Sequence, residues 1–511
     1  MVILLRTLKC SSILANLGRG YHMVGSLSSL IKSGFFENIL PQHSEFHFCT
    51  LEKSGPLTGY CGFDPSAESL QLGNLVPLIG LLRAQASGLN AIAVIGEGTA
   101  LIGDPTGRLE SRTRLSFDAC ASNASSVVET VTMIERNFTE QFLPNMKVLA
   151  SLGSFKVLNN LDWLGSLDLI EFVNETACFV RLQELLHKDS VKLRESAGEG
   201  MNMKEFLYPL VQAFDFLHLH QNHRCSLQLG GNDQVGNIDT GIALIRRKLG
   251  KQVFGLTVPL LVAPNGSKIG KTSSNTQKDV IWLSHRKLRP FSFYQRVLNQ
   301  PDILMTPTFL RQLTFLSDDH VKQILTDHSR NPSRRAAQKT LATELTLLVH
   351  GAGALQAIEL SSRIFFPSIS VHATSEKPMH TLANCLSLSE RNFLVAAICH
   401  PTAPTTSPIP VINDGGTSQD PLSRLQEVLS KALASQQDRG HVLSLSGGVT
   451  LNGIQLTQSS PDAASTGQFS CPESLVTEAW NACDPSTGIS ILQIGKRGSW
   501  FLFPLDKVRS M

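Results

Sequence analysis

No two of the ten cysteines form a C-x-x-C pair; they lie scattered at positions 10, 49, 61, 120, 178, 225, 385, 399, 471 and 483. That spacing argues against a zinc ribbon or a thioredoxin-type centre, and reduced thiols suit a matrix or cytosolic protein better than a disulfide framework. No apolar run approaches the length of a bilayer-spanning helix, so no membrane segment is expected. No internal repeat is visible. Acids are missing from the first 36 residues, which carry Arg6, Lys9, Arg19, Lys32 and several serines. Such a segment reads as a mitochondrial presequence over residues 1–36; its basic residues interrupt the apolar stretch that a secretory signal needs. Its removal takes the net charge from +3 to about −1, so no global positive field marks a nucleic-acid binder. Contact with RNA has to come from local patches.

What remains is an ordinary globular composition, 17 % charged and 42 % hydrophobic, in a chain of 511 residues. That length accommodates two to four domains, each with its own core. Residues 57–63 read as a buried strand feeding a helix from about Leu70 to Ala86. "LNAIAVIGEGT" is a second strand ending in a glycine turn, and "LIGDPTGRLESRTR" a loop. Residues 160–195 look helical, "EFLYPLVQAFDFLHLH" is a helix, "CSLQLGG" a strand, and "NDQVGNIDTGIALIRRKL" a loop into a helix. "FGLTVPLLVAPNGSKIGKTSSN" is a strand followed by a lysine-bearing loop. Strands alternating with helices over 37–284 predict an open, mostly parallel α/β sheet. Residues 285–365 read as helical, 366–420 as a Ser/Thr/Pro-rich linker or insert, and 421–511 as short strands.

Three local patterns carry chemistry. A strand that turns through Gly-Phe-Asp-Pro into "LQLGN" (Leu70–Asn74) is where doubly wound sheets bind phosphates, and Gly73 leaves room for a ligand against the backbone. By itself this is also an everyday structural turn. "KIGKTS" (Lys268–Ser273) follows a buried strand; two ammonium groups on a Gly-containing loop suit a spreading phosphate charge, or simply a solvated surface. Tyr208, Gln212 and Asp215, spaced four and three apart, share one helix face. An aspartate buried on that face needs a donor, which a phenolic hydroxyl would supply; a solvated aspartate is the alternative. His218, His220, His223 and Cys225 invite a zinc reading, but they straddle a helix end and a strand start, so no metal site is expected.

Taken together, "YCGFDPSAESL", "LQLGN", "LIGDPTG", "YPLVQAFDF", "LQLGGNDQVGNI", "KIGKTS" and "RRAAQKTLATELTLLVHG" resemble the class I aminoacyl-tRNA synthetases, in particular tyrosyl-tRNA synthetases of bacterial and mitochondrial type. The resemblance implies a Rossmann-type catalytic domain with a dimer-interface helical insert at about 160–200, a helical anticodon-binding domain and an S4-like α+β RNA-binding module. It implies that Tyr60 and Asp215 receive the substrate phenol, that Tyr208, Gln212 and Asp104 hold its ammonium, and that Thr99 and Asn160 line the pocket. Gln234 would contact the reacting carboxylate. Cys61, Gly62, Asp64, Gly73, Asn74, Gly231 and Asp233 would surround the nucleotide. Ser66, Gln71, Lys268 and Lys271, with Thr272 beside them, would face the phosphates. Arg108 and Arg112 would add positive charge or meet the tRNA acceptor end. Arg334 and Arg335, among Arg286, Lys287, Arg289, Arg330 and Lys339, would meet the anticodon stem, and Lys496 and Arg497 would mark the C-terminal module.

This chain departs from the family signature in that Gln71 and Asn74 replace both motif histidines; each amide still donates an N–H. Ser66 stands for a threonine and keeps the hydroxyl. The activity implied is ATP-dependent tyrosine activation, then transfer to tRNA(Tyr) in the mitochondrial matrix, with Mg2+ carried on the phosphates and a homodimeric assembly. A tryptophanyl-type enzyme on the same fold, and a non-enzymatic RNA-binding or splicing cofactor built on a synthetase body, are the alternatives.

Overall fold

The computed structural model describes residues 20–21, 25–107, 114–148, 151–198, 200–261 and 280–365, with four strands between 449 and 504. The chain divides into two units, Met1–Ala352 and Gly353–Met511.

The first unit is built on one sheet: β1 (Asn38–Leu40), β2 (Thr58–Phe63), β3 (Asn90–Ile95), β4 (Phe155–Asn159), β5 (Cys225–Gly231) and β6 (Phe254–Val258), in the order β1-β6-β5-β2-β3-β4. Strands β2 to β6 run parallel, and β1 pairs antiparallel with β6 at the edge. All of β6 and five residues of the six in β3 are buried, as strands covered on both faces must be. The sequence pattern had revealed neither edge. β1 is three residues long, and β4 is only half-buried along its length, so neither carries a hydrophobic run.

Helices α1 (Leu27–Lys32) and α2 (Glu45–Lys53) flank β1 in the chain, and α3 (Leu72–Ala86) links β2 to β3. The glycine turn after β3 opens directly into α4 (Glu97–Ile102), and α5 (Phe117–Asn137) precedes β4. Beyond β4 come four short helices, α6 (Leu161–Leu164), α7 (Leu169–Glu175), α8 (Leu182–Leu186) and α9 (Asp189–Ser196). Then α10 (Met203–His223) and α11 (Val235–Leu249) pack Phe216, Leu217, Ile238, Ile242 and Ile245 with Tyr60, Ile92 and Val94 of the sheet. That packing fixes which face of α10 meets the C-terminal end of β2.

The presequence expected over residues 1–36 overruns the folded body. Leu27, Leu30, Phe35 and Phe36 are buried. The Arg83 guanidinium of α3 lies 4.7 Å from the Phe35 ring centroid and 5.3 Å from that of Phe315, and donates to the Thr314 carbonyl at 2.7 Å. Ser317 donates its backbone N–H to the Gly20 carbonyl at 2.7 Å. Leu27, Leu30, Phe35 and Phe36 thus pack into the folded body, while Ser26, Ser29, Lys32 and Gly34 beside them stay exposed.

After residue 285 follow α12 (Pro290–Leu298), α13 (Pro307–Leu313), α14 (Asp318–Arg330) and α15 (Ala336–Phe365). Within α15, Gly351 adopts φ +82°, a left-handed conformation that breaks the helix and suits glycine. Several cations expected to meet RNA have partners in the chain. Arg335 donates to the carbonyls of Leu298, the last residue of α12, and Gln300. Arg286 pairs with Glu129 and Lys287 with Glu68, while Arg334 is exposed.

In the second unit β7 (Val449–Leu451), β8 (Ile454–Thr457), β9 (Ile489–Ile494) and β10 (Ser499–Pro504) form an antiparallel sheet in the order β10-β9-β7-β8. The expected linker at 366–420, and Lys496 and Arg497, lie outside the described residues.

Candidate active site

The chain leaves β2 for β3 on one side, while β5 lies on the other, so the strand order reverses at β2 and opens a crevice at the strands' C-terminal ends. The entrance to α3 stands there. The helix begins at Leu72 rather than Leu70 because the preceding residues are engaged elsewhere. Leu72 N–H reaches the Ile281 carbonyl at 3.0 Å, Leu283 N–H the Leu70 carbonyl at 2.9 Å, and Ser284 N–H the Ser69 hydroxyl at 2.9 Å. The backbone of Ile281–Ser284 is thus hydrogen-bonded to the start of the phosphate-type turn. Asn74 Oδ1 accepts the Gln71 backbone N–H at 3.0 Å, which leaves the Asn74 amide N–H groups for other partners. Pro77 has no N–H for the Gly73 carbonyl one turn earlier.

A cleft of about 260 Å3 opens at this point. From β2 and the α3 entrance it is lined by Tyr60, Cys61, Gly62, Asp64, Ser66, Gln71, Gly73 and Asn74. Thr99 lines it from α4, Asp104 from just past α4, Asn160 from the end of β4, Tyr208, Gln212 and Asp215 from α10, and Gly231, Asp233 and Gln234 from the end of β5 and the turn into α11. Lys268, Lys271, Thr272, Arg108 and Arg112 lie outside the described residues.

Two hydrogen-bonded groups organise the cleft. In the first, Asp215 is 4 % exposed and accepts from Asn160 Nδ2 at 3.0 Å and from the Trp163 indole N–H at 2.7 Å. A solvated aspartate is thereby ruled out. Burial pushes its carboxyl up to about 7, against the two donors, which pull it down. Tyr60, 2 % exposed, has a hydroxyl with no hydrogen-bond partner, and burial first and the Asp215 charge second hold its proton well above the usual phenol range. A buried hydroxyl left unpaired costs about 1–3 kcal/mol, so a ligand that pairs with it recovers that cost.

In the second group, Asp64 accepts from the Tyr208 hydroxyl and from the Thr99 hydroxyl, both at 2.7 Å. Asp64, expected at the nucleotide, follows the end of β2 and stands beside Thr99 and Tyr208, residues expected in the amino-acid pocket. A Cβ on Gly96 would collide with Asp64 Oδ1 and Thr99 Oγ1, so that position requires glycine. Gln234 Nε2 donates to Asp104 Oδ2 at 2.8 Å. Asn237 Nδ2 donates to both Gln234 Oε1 and Gln212 Oε1.

Sequence reasoning missed Trp163, Asn237 and Gln228, whose buried Oε1 has no partner and which also lines the cleft. The one available signal was Trp163 lying three residues after Asn160. Because Asp215 accepts an indole N–H from its own chain, an acceptor at this position does not by itself select a phenol over an indole. Among the described residues no group of three His, Cys, Asp or Glu could hold a metal. His218 stacks on Trp163 at 4.5 Å, and His220 Nδ1 bonds the Cys225 carbonyl.

The profile of the family described as "tRNA synthetases class I (W and Y)" matches residues 52–367. Tyrosine--tRNA ligase, mitochondrial, of Drosophila melanogaster is 34 % identical over 420 residues, covering 79 % of this chain and 89 % of that protein. This chain belongs to the tyrosine–tRNA ligase family. The mitochondrial tyrosine--tRNA ligase of Homo sapiens is 33 % identical over 452 residues, 88 % of this chain and 84 % of that one. A C-terminally truncated mitochondrial tyrosyl-tRNA synthetase of Aspergillus nidulans superposes with a TM-score of 0.57 at 26 % identity, over 66 % of this chain and 93 % of that one. The class I fold expected from the motifs is therefore the fold of this family, and its members are ligases.

Proposed function

We propose that this chain activates L-tyrosine with ATP and transfers it to the 3′ end of tRNA(Tyr) in the mitochondrial matrix. The carrying observation is that buried Asp215 and the unpartnered Tyr60 hydroxyl line the same cleft in a tyrosine–tRNA ligase family member. A phenol completes this pair, donating to the carboxylate and accepting from Tyr60. Asp64, Asp104 and Tyr208 supply the acceptors that a substrate ammonium requires, and Gln212 adds the second lone pair of the Oε1 that also accepts from Asn237.

In the first step a tyrosine carboxylate oxygen attacks the α-phosphorus of ATP and pyrophosphate leaves. In the second a ribose hydroxyl of the tRNA attacks the acyl carbon and AMP leaves. The protein's work is positioning and charge neutralisation. Gly73 admits the phosphates to the start of α3, whose N-terminal N–H groups favour anions. Gln71, Asn74 and Ser66 add neutral donors, and Lys268 and Lys271 with Thr272 supply the cationic part. Cys61, Gly62, Gly231 and Asp233 border the adenosine. Magnesium ion, carried in on ATP, would supply further neutralisation of the phosphate charge.

The assembly we propose is a homodimer. Large apolar side chains stand exposed on α7, α8 and α9, with Leu169 71 % and Ile170 65 % accessible, and a second copy of the chain is the occupant implied by the resemblance. The leader is confined to residues upstream of Gly20, and the C-terminal strands belong to an S4-like module. Arg108, Arg112, Arg334, Lys496 and Arg497 are the proposed RNA contacts. Amino-acid-dependent ATP–pyrophosphate exchange with all twenty amino acids tests the activity: exchange with tyrosine is expected, while exchange with tryptophan or with none contradicts it.

A further inference from the structure

Asn237 stands in the first turn of α11 with 4 % of its surface exposed. Its Nδ2 donates to Gln234 Oε1 at 2.9 Å and to Gln212 Oε1 at 3.2 Å. An amide nitrogen carries two hydrogens, so both bonds form at once. Each bond turns the carbonyl of a glutamine toward Asn237 and its NH2 group away. For Gln234 the other side is also fixed, since its Nε2 donates to Asp104 Oδ2 at 2.8 Å. The chain Gln212–Asn237–Gln234–Asp104 therefore has one consistent direction. Rotating the Gln234 amide by half a turn would set its oxygen against the Asp104 carboxylate and its NH2 against the Asn237 NH2, replacing two hydrogen bonds with two repulsions.

We propose that Asn237 is a positioning residue that fixes the amide direction of Gln234, so that this side chain offers an N–H to the cleft. The proposal rests on the reading of this cleft as the site of adenylate formation. Of the two Gln234 N–H groups one serves Asp104, and the second remains for the reacting carboxylate or the α-phosphate oxygens, where negative charge redistributes as the bond to phosphorus forms. A carbonyl there would repel that charge. Asn237 touches neither reactant; it acts through Gln234, and through Gln212 it sets the neighbouring amide by the same means. The sequence spacing conceals this role, because Gln212 and Asn237 lie on different helices.

Single-turnover adenylate formation by the full chain, at varied tyrosine, tests the assignment in Asn237→Asp and Asn237→Ala. The aspartate is nearly isosteric but accepts only, so it demands that both glutamines turn round, and Gln234 then faces Asp104 with its oxygen. The alanine leaves both amides free, and Asp104 alone still favours the native direction. The expected order is a fall in rate on the order of 10²-fold for Asn237→Asp and about tenfold for Asn237→Ala, with the KM for tyrosine moving less than about fivefold in each. A residue that merely fills space gives the reverse order, because alanine opens a cavity and aspartate does not. That reversed order, or a loss lying wholly in KM, overturns the proposal. Should Asn237→Asp fail to fold, Asn237→Ala decides alone: a lower rate at saturating tyrosine supports the role, and an unchanged rate overturns it. Absence of tyrosine activation in the native chain would refute the reading of the site instead, and the native control in each assay separates the two failures.

Discussion

At the scale of single residues the Asp215 environment makes a directional prediction. Its carboxyl ordinarily titrates near 3.8 and here near 7, chiefly through burial. Between those values the folded chain holds a proton that the unfolded chain has released, so this group's contribution to stability declines as pH rises through that window. The ionised form is the stronger acceptor for a phenol, so kcat/KM for tyrosine should fall as pH drops below about 7. Trp163→Phe removes one donor to the carboxylate and lets burial act with less opposition. The acid limb should then move upward by about half to one pH unit. A pH profile of tyrosine-dependent exchange checks this, and an unmoved limb would show that the indole does not tune Asp215. The helix periodicity made Tyr208, Gln212 and Asp215 legible in advance, because spacing alone puts them on one face. Trp163 was not legible: its contact with Asp215 spans 52 residues and depends on the tertiary fold.

At the scale of elements, buried strands and the amphipathic α10 and α11 could be read directly, since burial on both faces or on one stripe leaves a periodic trace. The edge strands β1 and β4 leave none. At the N-terminus, a short basic segment with apolar residues has the same composition whether it is a leader or a helix packed on a core. Its burial distinguishes them. Phe35 is 2 % exposed beside the Arg83 guanidinium, so Phe35→Ala should destabilise the chain by about 3–5 kcal/mol in urea unfolding, through the cavity and the lost ring contact. Removal of residues 1–19 should leave the stability nearly unchanged, and removal of 1–36 should not. A loss under about 1 kcal/mol for Phe35→Ala would mean that this segment does not belong to the core.

At the scale of the whole molecule, the order of motifs along the chain pointed to the family, and those around Tyr60, Gln71 and Asp233 sit at a strand end, a helix start and a turn of the sheet. Assembly leaves no such mark. The exposed Leu169, Ile170, Val173, Leu182 and Leu186 on α7 and α8 are the residues expected to bury between two copies. Ile170→Asp places a charge in that interface and should yield a monomer in sedimentation equilibrium, with the helical content kept. A dimer of unchanged stability would assign these side chains to some other contact.

The central claim, that a buried hydroxyl and a buried carboxylate read the phenol of the substrate, is tested most directly by Tyr60→Phe, which removes one oxygen and little else. Exchange kinetics with tyrosine and with phenylalanine are measured on both chains. The account predicts that kcat/KM for tyrosine falls about five- to tenfold, the worth of one hydrogen bond, while that for phenylalanine stays or rises because no buried hydroxyl is left unpaired. An equal loss for the two amino acids would contradict it.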